Sequence, residues 1–101
     1  VITWNEGETG GTSFTGVYLD VKELGGFKAV TNRLITLGAI DAGVSDKVTH
    51  EFKGVLDNRI FTLYDYKGDR EFHIGGHQPQ DGLAFEAWGK KVRTELHKVL
   101  K

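Results

Sequence analysis

Cysteine and methionine are absent from this 101-residue chain, and proline occurs once. No apolar run approaches the ~20 residues that a membrane-spanning helix needs. Without cysteine there is no disulfide framework, no thiolate metal ligand and no thiol nucleophile. A reducing interior is the simpler setting for such a chain. Nothing at the start has the charged, apolar and small-residue order of a signal peptide. Since there is no Met, Val1 implies a removed initiator or an artificial boundary. The expectation is a soluble, cytoplasmic protein with no membrane association.

Basic residues are missing from the first twenty positions, which hold Glu6, Glu8 and Asp20. The last twenty hold Lys90, Lys91, Arg93, Lys98 and Lys101 against Glu86 and Glu95. An acidic start and a basic end can attract each other within one fold or offer two faces to two partners. The formal net charge is only −1. With 39% hydrophobic and 27% charged residues, the chain has the composition of one folded domain spanning 1–101. Aromatic residues make up 11%, and their large buried areas help a small domain offset its ordering entropy.

Periodicity then divides the chain. Residues 1–4 read as a short strand, followed by a polar, Gly-rich stretch. Residues 12–19 alternate, with Phe14, Gly16 and Tyr18 on one side and Thr15, Val17 and Leu19 on the other. These two strands are expected to pair as an opening hairpin. Leu24, Phe27, Val30, Leu34 and Leu37 recur at helical steps, with Gly25-Gly26 delaying the start to about Phe27 and Gly38 as the stop.

Strands are expected over 47–53 and 59–67, joined through Leu56-Asp57-Asn58, and a fifth over 71–74 ending at Gly75-Gly76. Pro79 and Asp81 announce a last helix, with Asp81 as its cap and Ala84, Trp88, Val92, Leu96 and Val99 as its apolar stripe. The fold class is therefore α+β: a small antiparallel sheet, order β-β-α-β-β-β-α, with helices packed on one face.

Chemistry-bearing motifs are sparse. Residues 7–16 are Gly-rich, but no Lys follows the last glycine and a strand comes next, so a hairpin connection fits better than a phosphate loop. His73 and His77 flank Gly75-Gly76, and His50 sits on a neighbouring strand, where a hydrogen-bonded, half-buried ring suits it. His97 is placed on the exposed part of the last helix. Three such ligands could hold zinc and a His–carboxylate pair could act as a base, but this spacing is nonspecific and no metal or catalytic site is expected. Asp65 follows Phe61 and Leu63 on one side of its strand and needs a partner, for which Arg59, Arg70, His73 or a turn hydrogen bond near Lys67-Gly68 are candidates.

Tyr64, Tyr66 and Phe72 fall on adjacent strands near Lys53, Lys67 and Arg70. Such a surface could stack single-stranded bases, although the ribonucleoprotein signature is missing.

Four blocks carry a resemblance: Gly11-Thr12-Ser13-Phe14-Thr15-Gly16-Val17-Tyr18, Val48-Thr49-His50-Glu51-Phe52, Phe61-Thr62-Leu63-Tyr64-Asp65-Tyr66-Lys67 and Phe72-His73-Ile74-Gly75-Gly76. In this order they resemble a family of small uncharacterised bacteriophage proteins. Tyr66 and Phe72 stand where that pattern has tryptophan, and the first helix ends Leu37-Gly38-Ala39 without Phe-Gly-x-Pro. The resemblance implies a phage-encoded accessory protein acting inside a bacterial cell, and it brings no catalytic residue with it.

The expected function is non-enzymatic binding and inhibition of a host protein, for example an antiviral defence component such as a CRISPR effector. No cofactor is expected. Tyr64, Tyr66 and Arg70 are the candidate contact residues, since aromatic and arginine side chains carry most interface energy. The alternatives are a nucleic-acid-binding accessory protein, or a small-molecule or nucleotide site built around residues 7–16 and Trp4.

Overall fold

The computed structural model describes residues 1–43, 45, 47–78 and 82–101. The elements run β1 (Thr3–Trp4), β2 (Ser13–Leu19), α1 (Phe27–Thr36), β3 (Glu51–Leu56), β4 (Arg59–Tyr64), β5 (Phe72–Gly76) and α2 (Gly82–Leu100). One five-stranded antiparallel sheet has the order β1-β3-β4-β5-β2. The fold class and element order expected from the sequence are both present.

The centre of the sheet is a meander. Asp57 and Asn58 take positive φ values of 51° and 63°, the pair of left-handed residues that a two-residue hairpin turn requires. Leu56 faces Arg59 across it, and Leu63 then pairs with both Phe52 and Ile74. Alternation sends Phe52, Phe61, Leu63, Phe72 and Ile74 to one face, where all five are fully buried. Gly54 makes room there for Phe61, whose ring Trp4 meets edge-on at 5.8 Å.

The outer strands differ from the sequence expectation. β1 and β2 do not form a hairpin: β1 pairs with β3 at one edge and β2 with β5 at the other. Local alternation marks a strand but carries no information about its partner, which the apolar register of the meander selects. β2 also carries an irregularity between Phe14 and Val17, with Gly16 at φ 88°. There the Thr15 hydroxyl donates to the Ile74 carbonyl at 2.7 Å and takes up the slack in the ladder. β3 begins at Glu51 rather than at residue 47, because side-chain carboxylates hold the segment before it.

Both helices contribute to the same core. α1 starts at Phe27, as its periodicity predicts, and ends in a Schellman arrangement in which Gly38 N–H bonds Ile35 and Ala39 N–H bonds Leu34. Val30 and Leu34 are buried and Phe27 stacks on Phe72 at 4.6 Å, but Leu37 is exposed. α2 lies on the sheet through Phe85, Trp88, Val92, Leu96 and Leu100. Ala84 and Val99, expected on the stripe, are exposed; Phe85 and Leu100 are buried in their place, and Gly89 leaves room for Thr15 and Val17 of the sheet. The proposed cap Asp81 and Pro79, two residues before it, lie outside the described residues.

Candidate functional site

With the helices covering one face, the other face of the sheet carries the remaining aromatic residues. Tyr18 pairs with His73, His73 with Tyr64, and Phe14 with Gly75, so alternation brings these side chains together on three adjacent strands. Their rings converge on the His73 imidazole, with centroids at 4.7 Å for Tyr18, 5.0 Å for Phe14, 5.1 Å for Tyr64 and 6.3 Å for Tyr66. Tyr64 stacks on it nearly parallel, at 18°, while the others approach tilted or edge-on. His73 is only 9% exposed, yet Phe14, Tyr18 and Tyr66 remain 37%, 44% and 41% exposed. Phe14 and Tyr18 also meet each other edge-on at 5.1 Å, so the exposed rings form one group around the imidazole.

Polar groups set the character of this face. His73 Nδ1 lies 3.2 Å from the Tyr64 carbonyl oxygen, and its Nε2 lies 3.7 Å from Asp69 Oδ2. Only Nδ1 is within hydrogen-bond reach of its neighbour; Nε2 faces the Asp69 carboxylate at a longer distance. Burial raises the Tyr64 phenol above its usual value, and the neighbouring Tyr18 and Glu51 add to the shift. Lys67 Nζ stands 5.4 Å above the Tyr66 ring.

The sequence candidates separate here. Tyr64 and Tyr66 both join the cluster. Arg70 stands apart, with its guanidinium 5.7 Å from the Phe27 ring, beside a groove of about 770 Å³ running toward α2. Phe72, read as part of the aromatic surface, belongs to the core instead, since its strand position faces the helices. Phe14 and Tyr18 were already visible as one side of an alternating strand, but without the strand order nothing set them beside Tyr64.

Asp65 pairs with none of Arg59, Arg70 or His73. Its Oδ1 accepts the Thr49 and His50 amides at 2.9 Å each, and its Oδ2 accepts the Thr49 hydroxyl. Burial opposes its ionisation, but the Thr49 hydroxyl and the two amides hold its carboxyl below the usual carboxylate range. Asp41 does the same work one step away, accepting the Gly43 and Glu51 amides and meeting His50 Nδ1 at 2.7 Å. Its carboxyl is also lowered, against burial, by the Glu51 and Gly43 amides and by His50. Together the two carboxylates fasten the connection ahead of β3 by holding the backbone of Thr49, His50 and Glu51.

Remaining candidates fall elsewhere. His50 is half-buried and hydrogen-bonded as expected, His77 Nε2 meets the Glu8 carbonyl oxygen, and His97 is largely covered near Glu23 rather than exposed. Among the described residues no three His, Asp or Glu side chains converge as a metal site would require. Lys90, Lys91 and Lys98 of α2 pair with Glu86, Asp57 and Glu95, not with the acidic N-terminal residues. Trp4 is packed against the core. No helix among the described residues is long and apolar enough to cross a membrane. Comparisons of the chain with protein-family models, curated proteins and solved structures found no match.

Proposed function

We propose that this chain is a non-enzymatic binding protein that docks on a protein partner through the outer sheet face around His73. The observation that carries this reading is the set of exposed rings, Phe14, Tyr18 and Tyr66, anchored on a stacked Tyr64–His73 pair. Rings held by neighbours lose little freedom on binding, and desolvating them supplies the main energy of a protein interface. Glu51 and Asp69 border the rings and more than offset the Lys67 ammonium over Tyr66, so a phosphate backbone would meet no net positive charge there. That favours a protein over a nucleic-acid partner. The lysines of α2 lie on the helix that covers the opposite face and are already paired with acidic side chains.

The resemblance to small bacteriophage proteins gives this reading a setting: an accessory protein that binds and inhibits a host component, such as a CRISPR effector. The test has two parts. Tagged wild-type chain should retain a host protein from bacterial lysate that Tyr18→Ala/Tyr66→Ala loses. Expression of the wild type, but not the double variant, should raise phage plaque counts on a CRISPR-immune host. Equal capture by both proteins sinks the docking face. Unchanged plaque counts sink the CRISPR assignment alone.

A further inference from the structure

Beside the aromatic group the outer face is interrupted by a small cleft. Gly75 of β5 has no side chain, and the Thr62 hydroxyl of β4 fills the space that its Cβ would take, 2.4 Å away. The cleft holds about 200 Å³ and is lined by Thr12, Ser13, Val48, Glu51, Thr62 and Tyr64. Thr62 is 1% exposed, and no protein group among the described residues hydrogen-bonds its Oγ1. A buried hydroxyl left without a partner forfeits the hydration it had in the unfolded chain, so it calls for an explanation. Glu51 forms no ion pair among the described residues, although its backbone is fixed by Asp41.

We infer that this cleft receives a basic side chain, a lysine ammonium or arginine guanidinium, presented by the partner protein whose docking is proposed above. Three features select that occupant. The polar lining consists of hydroxyls and one carboxylate, which suit a cationic donor and repel phosphate or carboxylate. The volume falls below the roughly 300–1,000 Å³ of small-molecule sites, but it accommodates the end of one side chain. The cleft is also continuous with the aromatic surface through Tyr64, whose ring forms a wall of one and part of the other. A cation entering beside that ring gains its π face, and it gives both Glu51 and the Thr62 hydroxyl a partner.

The cleft can be tested without the partner, using the isotope-labelled full chain and two short peptides. Acetyl-Leu-Lys-Leu-amide should produce saturable amide shifts centred on Glu51, Thr62 and Gly75. The norleucine analogue, equal in shape but uncharged, should not, and inorganic phosphate should leave these amides unmoved. Glu51→Gln should weaken the lysine peptide by about tenfold, the scale of one charge-assisted hydrogen bond. Thr62→Val should weaken it as well while leaving the melting temperature unchanged or raised, because it removes an unpartnered hydroxyl. Equal binding of the norleucine peptide, no loss in Glu51→Gln, or no saturation by about 10 mM of the lysine peptide overturns the inference. Such a failure leaves the docking reading standing if Tyr18→Ala/Tyr66→Ala still abolishes capture. Loss of that reading leaves the peptide result intact.

Discussion

Gly89 of α2 faces Thr15 of β2 so closely that a Cβ on the glycine would lie 2.5 Å from the threonine hydroxyl oxygen and 2.9 Å from Val17 Cγ2. The threonine cannot simply turn away, since its hydroxyl is bonded to the Ile74 carbonyl. Alanine is a better helix former than glycine by about 1 kcal/mol. Overpacking of this kind costs about 1–3 kcal/mol and should win. Gly89→Ala should therefore lower the urea midpoint. A higher midpoint would show that α2 rides further from the sheet.

Trp88 anchors the same helix near Gly76 and carries the Arg59 guanidinium 4.2 Å from its ring centroid. Trp88→Ala should destabilise the domain by about 3–5 kcal/mol in chemical denaturation. A loss below ~1 kcal/mol would mean the stripe does not form the core.

Asp65 should give the chain an acid limit. Its carboxyl titrates below the ordinary 3.8 in the folded protein, so the folded state binds fewer protons than the unfolded one as pH falls. Its contribution is complete above the unfolded value and disappears as the pH drops through the lower folded one. Asp41 acts in the same direction. Stability should fall steeply below about pH 4, and Asp65→Asn should lose about 1–3 kcal/mol at neutral pH with a shallower acid slope. Parallel acid slopes in the two proteins would contradict this account.

Tyr18 and Tyr66 are half open to solvent, so replacing either with alanine should shift stability by no more than about 0.5 kcal/mol. Partner binding should nonetheless drop by tenfold or more, the scale of an aromatic hot spot. Arg70→Ala should do less than either, because its guanidinium lies over Phe27. Charge reversal of Lys90, Lys91 and Lys98 should leave affinity nearly unchanged. If the lysine reversals abolish binding and flatten its salt dependence while the tyrosine variants do nothing, the partner is a nucleic acid.

How much of this was legible depended on range. The α1 start at Phe27, the Gly38 stop and the Asp57-Asn58 hairpin follow from residues a few positions apart, and the sequence predicts them all. The partners of β1 and β2 are dozens of residues away, and alternation is silent about them. Residues 47–50 alternate like a strand but are held by Asp65 and Asp41, and no local pattern distinguishes the two. The candidate site divides in the same way. Tyr64 and Tyr66 stood out by type, but Phe14, Tyr18 and His73 became a cluster only when β5 was inserted between β2 and β4. Glu51 and Thr62 carried no sequence signal beyond their positions on alternating strands.

The strand order also dictates a timetable. Ser13 pairs with Gly76, so during synthesis β2 emerges roughly sixty residues before the strand that receives it. At about 5–20 residues per second, that interval lasts several seconds. Throughout it Phe14, Val17, Tyr18 and Leu19 lack the strand they pair with. β2 is therefore the strand of this sheet whose native neighbour is made last, and its alternating apolar residues stay uncovered until β5 is in place.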